Sequence, residues 1–284
     1  MRTIKIMGLT LLYITGLIII AILLFVPFRF SGDVPANKLI IFAHRGASSV
    51  APENTMPAIE KAIAAGADYI EIDVQLSKDR QVVLMHDRSV KRTTDGEGKI
   101  SELDWTYLRT LDAGCWFDKK YTGTRIPLLE EVIQNVNSRA KLLIEIKAGN
   151  EMNGIEKELI GSIKKYDAES WCEVQSFSDN ILENIHRECP GIRLHKLFIL
   201  KLRFLPIIFD GSFSSFSYEK YEYVYAFNIH RLFGTHPLLK DIHDHKKKAN
   251  AWGCISESSC KAYKMDGWDG IITDWPDRYD KHTK

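Results

Sequence analysis

Several absences bound what this chain can be. Its five cysteines, Cys115, Cys172, Cys189, Cys254 and Cys260, are odd in number and never fall at C-x-x-C spacing, which suits neither a structural zinc site nor a disulfide framework. They read as small, mostly buried apolar residues, with room for one oxidised pair if the domain lies outside the cell. Neither charge dominates: 38 lysines and arginines face 37 acids. No global field therefore favours nucleic acid, and any phosphate must be held by a local site. No internal repeat is visible.

Charge is missing altogether between Ile6 and Phe28. About 20 apolar residues in a helix cross about 30 Å of hydrocarbon, so a membrane-anchor helix is expected over residues 1–30, followed by a polar linker, 31–38. A cleaved signal peptide would have a shorter apolar core ending at a small-x-small site, and Val26-Pro27-Phe28-Arg29-Phe30 offers none. Arg2 and Lys5 precede the run, which favours a cytoplasmic N-terminus. The expectation is a single-pass protein of the cell membrane with its catalytic domain extracytoplasmic.

The whole chain is 45% hydrophobic, and what remains after the linker, residues 39–284, has the size of one α/β barrel, roughly 250 residues. Short β-type runs alternate with helical ones, the pattern of a parallel α/β fold. Strands are expected at Leu39–Ala43, Tyr69–Val74, Val82–Met85, Leu142–Ile146, Cys172–Phe177, Arg193–Phe198, Tyr223–Phe227, Ala249–Trp252 and Gly270–Thr273. These are nine candidates for eight barrel positions. The few residues around Ser77-Lys78-Asp79-Arg80 are too short for a parallel crossover, so the second or third candidate is an antiparallel extension or the junction is irregular. Helix starts are marked at Asn54 or Thr55 with Pro57 behind it, at Pro127, at Ser178 or Asp179, and at Pro237.

Titratable residues recur at the ends of the first four strand candidates: His44-Arg45-Gly46, Glu71-Ile72-Asp73, His86-Asp87 and Glu145-Ile146-Lys147. In a β/α barrel the C-terminal strand ends meet at one face. Glu71 and Asp73 are two apart, which puts both carboxylates on one side of a strand. Three carboxylates without thiolates suit one hard divalent ion, Ca²⁺ or Mg²⁺. Singly, a strand-end histidine is more often a packing residue and a Glu-x-Asp pair more often a solvated edge; their recurrence at successive strand ends changes that balance.

The segments HRGASSVAPENTMPAI from His44, EIDVQLSKDRQVVLMHD from Glu71, TTDGEGKI from Thr93, IPLLEEV from Ile126, IEIK from Ile144, QSF from Gln175 and DGIITDWPD from Asp269 together resemble the glycerophosphodiester phosphodiesterase family. The resemblance implies a distorted (β/α)8 TIM barrel, here preceded by one N-terminal transmembrane helix, and hydrolysis of a phosphodiester to an alcohol and a phosphomonoester. It implies that Glu71, Asp73 and Glu145 hold the metal, that His44 and His86 act as base and acid, and that Arg45 and Lys147 meet phosphate oxygens. Glu53 and Asn54 would support the site, and Trp252 would form an aromatic wall for substrate. Trp252-Gly253-Cys254-Ile255 departs from the family's usual polar segment there, which leaves substrate preference open.

The chemistry has its own logic. A phosphodiester repels nucleophiles and expels a poor alkoxide leaving group. A metal with Arg45 answers the first problem, and a protonated histidine answers the second. Histidine titrates near neutrality and so suits both proton transfers.

Three functions compete. The leading one is hydrolysis of glycerophosphodiesters; a lysophospholipase D acting on lysophospholipids and a catalytically inactive lipid-binding protein are the others. The aromatic stretch Leu197–Phe227 reads as packing around the sixth strand, or more sharply as a bilayer contact. Lys246-Lys247-Lys248 reads as a solvated helix end, His243 with His245 as too isolated for a metal site, and Asp95-Gly96-Glu97-Gly98 as a turn.

Overall fold

A computed structural model describes residues 39–147, 149, 153–202, 205–254 and 267–278. The expected anchor helix over 1–30 and the linker 31–38 lie outside the described residues. Among the described residues no helix is long and apolar enough to cross a membrane.

Eight parallel strands close into a barrel: β1 (Ile40–Ala43), β2 (Tyr69–Leu76), β4 (Lys141–Ile146), β5 (Cys172–Ser176), β6 (Leu194–Phe198), β10 (Ala226–His230), β11 (Lys248–Cys254) and β12 (Gly270–Thr273), with β1 pairing both β2 and β12. The third candidate, β3 (Val82–Leu84), is the one left over from the barrel and pairs antiparallel with the last residues of β2, one of the outcomes its short connection allowed. The seventh expected strand, Tyr223–Phe227, is corrected to Ala226–His230. Tyr221 and Val224 are instead buried with Phe216 and Phe227 outside the barrel, so their apolar character reflects packing and not strand pairing.

Period-two alternation decides which side chains see the barrel axis. In β2, Ile70, Ile72, Val74 and Leu76 join the outer core with Ile59, Leu129 and Val132, so Glu71, Asp73 and Gln75 project inward. The same rule turns Leu142, Ile144, Cys172 and Val174 outward and sends Glu145, Glu173 and Gln175 to the axis. The floor of the interior is apolar, with Phe42, Tyr69, Leu143 and Ile272 packed together. Each such side chain contributes about 1.5–3 kcal/mol on burial.

Among the described residues the helices around the sheet are α1 (Met56–Ala64), α2 (Trp105–Leu108), α3 (Leu129–Val136), α4 (Ile155–Lys165), α5 (Asp179–Glu188) and α6 (His236–Asp244). Pro57 lies in the first turn of α1 and Pro237 in that of α6, and the Ser178 side chain caps α5 by accepting from the Ile181 amide. The sequence gives no cap signal for α4, which begins behind Gly154 in the left-handed region, φ +79°.

The aromatic stretch after β6 forms a small antiparallel sheet, β7 (Leu200–Lys201), β8 (Ile207–Phe209) and β9 (Phe213–Ser215). Phe198, Ile208, Phe216, Tyr221 and Phe227 pack beneath it, while Phe213 is 68% exposed. Lys196, fully buried and facing outward from β6, fixes this excursion through Asp210 at 2.7 Å and Asp179 at 2.8 Å.

Three smaller expectations meet the structure as follows. Cys172, Cys189 and Cys254 are buried free thiols, but Cys115 is exposed, and Cys260 lies outside the described residues. His243 and His245 go to separate partners, Asp269 and the Tyr218 ring. Of the lysine run, Lys247 donates to the carbonyls of Glu222 and Val224 and Lys248 opens β11 beside Asp269; both are tied into the fold and not merely solvated.

Candidate active site at the barrel mouth

Glu71 and Asp73, from the middle of β2, converge with Glu145 near the C-terminal end of β4, where Asp73 and Glu145 are register partners. One carboxylate oxygen from each lies within 4.8 Å of the others, and all three residues are buried. Among the described residues this is the one group of acids, histidines or cysteines placed to hold a metal ion. Burial, then the charge of Asp73, pushes the Glu71 carboxyl well above the usual range. Asp73 goes the other way: burial would raise it, but Lys147 and Arg45 outweigh burial and hold it far below. Lys147 contacts both Asp73 Oδ1, at 2.8 Å, and Glu145 Oε1. Asp73 Oδ1 is buried and accepts no well-directed hydrogen bond beyond that ion pair. Buried, hard and thiolate-free, this donor set fits a divalent cation.

The turn after β1 explains the His-Arg-Gly sequence. Arg45 has φ +56° and Gly46 φ +79°, which brings the Arg45 amide to Glu71 Oε2 at 2.9 Å. A Cβ on Gly46 would lie 2.6 Å from the Ala58 carbonyl carbon, so the turn needs glycine both for its torsion and for its contact with α1. Asn54, also left-handed at φ +56°, brackets Asp73: its amide donates to Oδ2 at 2.9 Å and its carbonyl accepts from the Asp73 amide at 3.0 Å. Arg45 Nε stands 3.2 Å from Asp73 Oδ2, and Arg45 Nη1 donates to Glu53 at 2.8 Å.

Both histidines have Nδ1 committed to a carboxylate. His44 Nδ1 meets Asp274 Oδ1 at 2.5 Å, and His86 Nδ1 meets Asp87 Oδ1 at 2.7 Å. Each pairing places the proton on Nδ1 and leaves Nε2 for exchange. Burial would lower the His44 pKa, but the hydrogen bond to Asp274 and the charge of Glu71 outweigh it and raise the value. Arg92 clamps Asp87 and, with burial opposing, pulls its carboxyl down to about 2. His86 reaches the site because β3 folds back along β2: the Met85 amide bonds the Asp73 carbonyl, and Gln75 donates to the His86 carbonyl.

Beside the triad, starting from the register partner of Glu145, runs a buried amide ladder. Gln175 Nε2 donates to Glu71 Oε1 at 3.0 Å and to Glu145 Oε2 at 3.3 Å; Asn228 donates to Gln175 at 2.7 Å, and Asn250 to Asn228 at 2.9 Å. Two residues beyond these inward positions, Phe177, His230 and Trp252 occupy the next layer toward the mouth. Trp252 packs edge-on against His230 at 4.7 Å and Phe177 at 5.9 Å and donates to the Phe198 carbonyl at 3.2 Å. It therefore stands on the wall across from the triad rather than against it.

Of the residues singled out by sequence, the structure brings together His44, Arg45, Glu53, Asn54, Glu71, Asp73, Glu145 and Lys147, joins His86 to them through Asp87, Arg92 and Glu53, and sets Trp252 apart. Asp87, Arg92, Gln175, His230 and Asp274 were not assigned from sequence. Asp274 lies in a quoted segment, and Gln175 and Asn228 could have been found by noting polar residues on the inward parity of otherwise apolar strands.

Comparison with known proteins agrees with this arrangement. The model of the Glycerophosphoryl diester phosphodiesterase family matches residues 44–278. The chain is 34% identical over 243 residues to a glycerophosphodiester phosphodiesterase of Caldanaerobacter subterraneus subsp. tengcongensis, covering 84% of this chain and 96% of that one. It is 33% identical over 241 residues to the enzyme so named in Bacillus altitudinis, covering 84% and 95%. Among solved structures, an Oleispira antarctica phosphodiesterase in complex with the product sn-glycerol-3-phosphate superposes with TM-score 0.69 at 28% identity, covering 84% of this chain and 94% of that one. A glycerophosphodiester phosphodiesterase from Agrobacterium tumefaciens shares the fold at TM-score 0.70 and 24% identity, covering 84% and 98%. With the family model matching residues 44–278, all of the barrel beyond its first strand, and the acidic triad and both histidines within that match, the chain belongs to the glycerophosphoryl diester phosphodiesterase family.

Proposed function

We infer that this protein hydrolyses glycerophosphodiesters to an alcohol and glycerol phosphate in a metal-dependent reaction. The observation that carries this reading is the convergence of a buried triad, Glu71, Asp73 and Glu145, with two histidines whose Nδ1 atoms are each held by a carboxylate. The names of the relatives and the glycerol phosphate bound in the Oleispira protein support the substrate class.

The triad would hold one divalent ion, Ca²⁺ or Mg²⁺, which would offset negative charge on the phosphodiester. Arg45 and Lys147 add positive charge for the phosphate oxygens. His44, half-buried near Glu71, takes the proton of the attacking hydroxyl, either water or the neighbouring glycerol hydroxyl. His86 gives a proton to the departing alkoxide. Asn54 and Glu53 keep Asp73 and Arg45 in register, and Trp252 walls the substrate on the far side of the mouth.

The uncharged run Ile6–Phe28 supports a single-pass anchor, and Arg2 with Lys5 supports an extracytoplasmic barrel. Protease accessibility of the barrel in intact cells tests the orientation. The activity itself is tested with a protein beginning near Ser31, assayed on glycerophosphocholine with Ca²⁺ or Mg²⁺ beside His44→Ala and Glu71→Ala. Turnover that needs metal and disappears in both variants is expected; full turnover after exhaustive chelation would remove the metal from the reading. Faster release of head group from a lysophospholipid than from glycerophosphocholine would replace the substrate.

A further inference from the structure

Arg92 sits on the short helical turn Val90–Arg92, outside the triad. Its guanidinium makes four donor contacts to two carboxylates. Nε and Nη2 reach Asp87 at 2.6 and 3.2 Å, while Nη1 and Nη2 reach Glu53 at 2.9 and 2.7 Å. Asp87 in turn holds His86 Nδ1 at 2.7 Å. Glu53 holds Arg45 Nη1 at 2.8 Å, and Arg45 stands 3.2 Å from Asp73. An unbroken run of charged contacts thus leads from His86 to a carboxylate of the triad.

The run matters because His86 and Asp87 are each 31% exposed on their side chains. A lone His–Asp pair at that exposure has freedom to change rotamer, whereas proton delivery needs the donor within hydrogen-bond reach of the leaving oxygen. A misplacement of about 1 Å can cost about 10²-fold in rate. A planar guanidinium is suited to the correction: its fork fixes both oxygens of Asp87 and refers them to Glu53, which a single ammonium cannot do. The rival account is a half-exposed ion-pair cluster that adds modestly to stability and nothing to catalysis.

We propose that Arg92 is a positioning residue that sets His86 for proton delivery by clamping Asp87 against Glu53. The inference rests on the acid role given to His86 above. It makes no claim on the metal, and its signature is dependence on the leaving group. Glycerophosphocholine expels an alkoxide that needs a proton, whereas its analogue glycerophospho-p-nitrophenol expels a phenolate that leaves without one.

The test uses the full-length protein with Arg92→Ala, Arg92→Lys, Asp87→Asn and His86→Ala, assayed on both diesters at saturating metal, with thermal melting as a check on folding. The expected result is a fall in kcat on the order of 10²-fold for glycerophosphocholine in Arg92→Ala and Asp87→Asn, with the nitrophenyl ester nearly unaffected. Arg92→Lys, which keeps the charge but not the fork, should stay impaired. In a His86→Ala background Arg92→Ala should cost nothing more on glycerophosphocholine. Equal losses on the two diesters, no loss, or a full additional loss in the His86→Ala background would overturn the proposal. If His86→Ala itself harms both diesters equally, the acid role falls first. If His86→Ala shows the leaving-group split and the Arg92 variants do not, only the present inference fails.

Discussion

His44 and Asp274 meet at 2.5 Å although 230 positions separate them in the chain. They follow β1 and β12, neighbouring strands, and each occupies the first inward position beyond its strand. With Asp274 on Nδ1, Nε2 of His44 is left for the base role proposed above. Asp274→Asn presents the wrong partner to Nδ1. It should lower kcat on glycerophosphocholine by about 10²-fold or more, with KM and the melting temperature little changed. Steady-state kinetics beside a melting curve check this; an unchanged kcat would detach Asp274 from the reaction.

Three buried carboxylates within 4.8 Å repel one another, and a divalent ion relieves that repulsion. Adding Ca²⁺ or Mg²⁺ at 100 times its dissociation constant should stabilise the protein by about 2.7 kcal/mol, seen as a rise in melting temperature. Glu71→Gln and Glu145→Gln should bind the ion at least tenfold more weakly by calorimetry, roughly 1.4 kcal/mol or more. A wild-type melting temperature indifferent to both ions would contradict the assignment.

Gly46 has a left-handed torsion and no room for a side chain. Gly46→Ala should cost about 2 kcal/mol or more, combining torsional strain with a clash against the α1 backbone. Activity should fall further than stability, since the same turn carries His44 and the Arg45 amide. Urea unfolding and kcat measured on one preparation separate the two effects.

Glu173 lies inside the barrel below the triad, bonded to His195 at 2.8 Å, Tyr69 at 2.9 Å and Lys141 at 3.1 Å. Burial would raise its pKa, but His195 and then Lys141 outweigh that and hold it at about 2. An unfolded glutamate titrates near ~4.3. The stabilisation is therefore complete above that value and is lost as pH falls from there through about 2. It is on the order of 3 kcal/mol. Unfolding free energy measured across this window should drop steeply in the wild type, and Glu173→Gln should flatten the drop while lowering stability at neutral pH. Identical acid profiles for the two proteins would rule this out.

Much of the barrel was legible because its strands are buried on the outside by apolar residues that recur every second position. A connection too short for any crossover showed that the second or third strand candidate broke the parallel pattern or that the junction was irregular, but not that β3 was the antiparallel one. What the sequence could not locate was β10, three residues later than expected, because Tyr221, Tyr223 and Val224 imitate a strand while packing outside it. The triad was readable from Glu-x-Asp and Glu-x-Lys on inward parity. Its supports were harder to read: Gln175 and Asn228 show locally only as polar residues on the inward parity of apolar strands, and the partners of Gln175, Asn228 and Asp274 lie far off in sequence. Arg92 was overlooked for a different reason, since an arginine in a polar loop resembles a solvated charge until its two carboxylates are seen.

Leu39 and His44 stand at opposite ends of β1, so whatever precedes residue 39 is attached to the floor of the barrel and not to its mouth. Residues 29–38 separate the uncharged run from that attachment, a reach of at most about 35 Å when fully extended. Were the run held in a bilayer as proposed, the nearer face of the barrel would be its floor, with the catalytic opening turned toward bulk water. Such a leash would favour diesters that arrive by diffusion over lipids that would have to be lifted out of the anchoring leaflet.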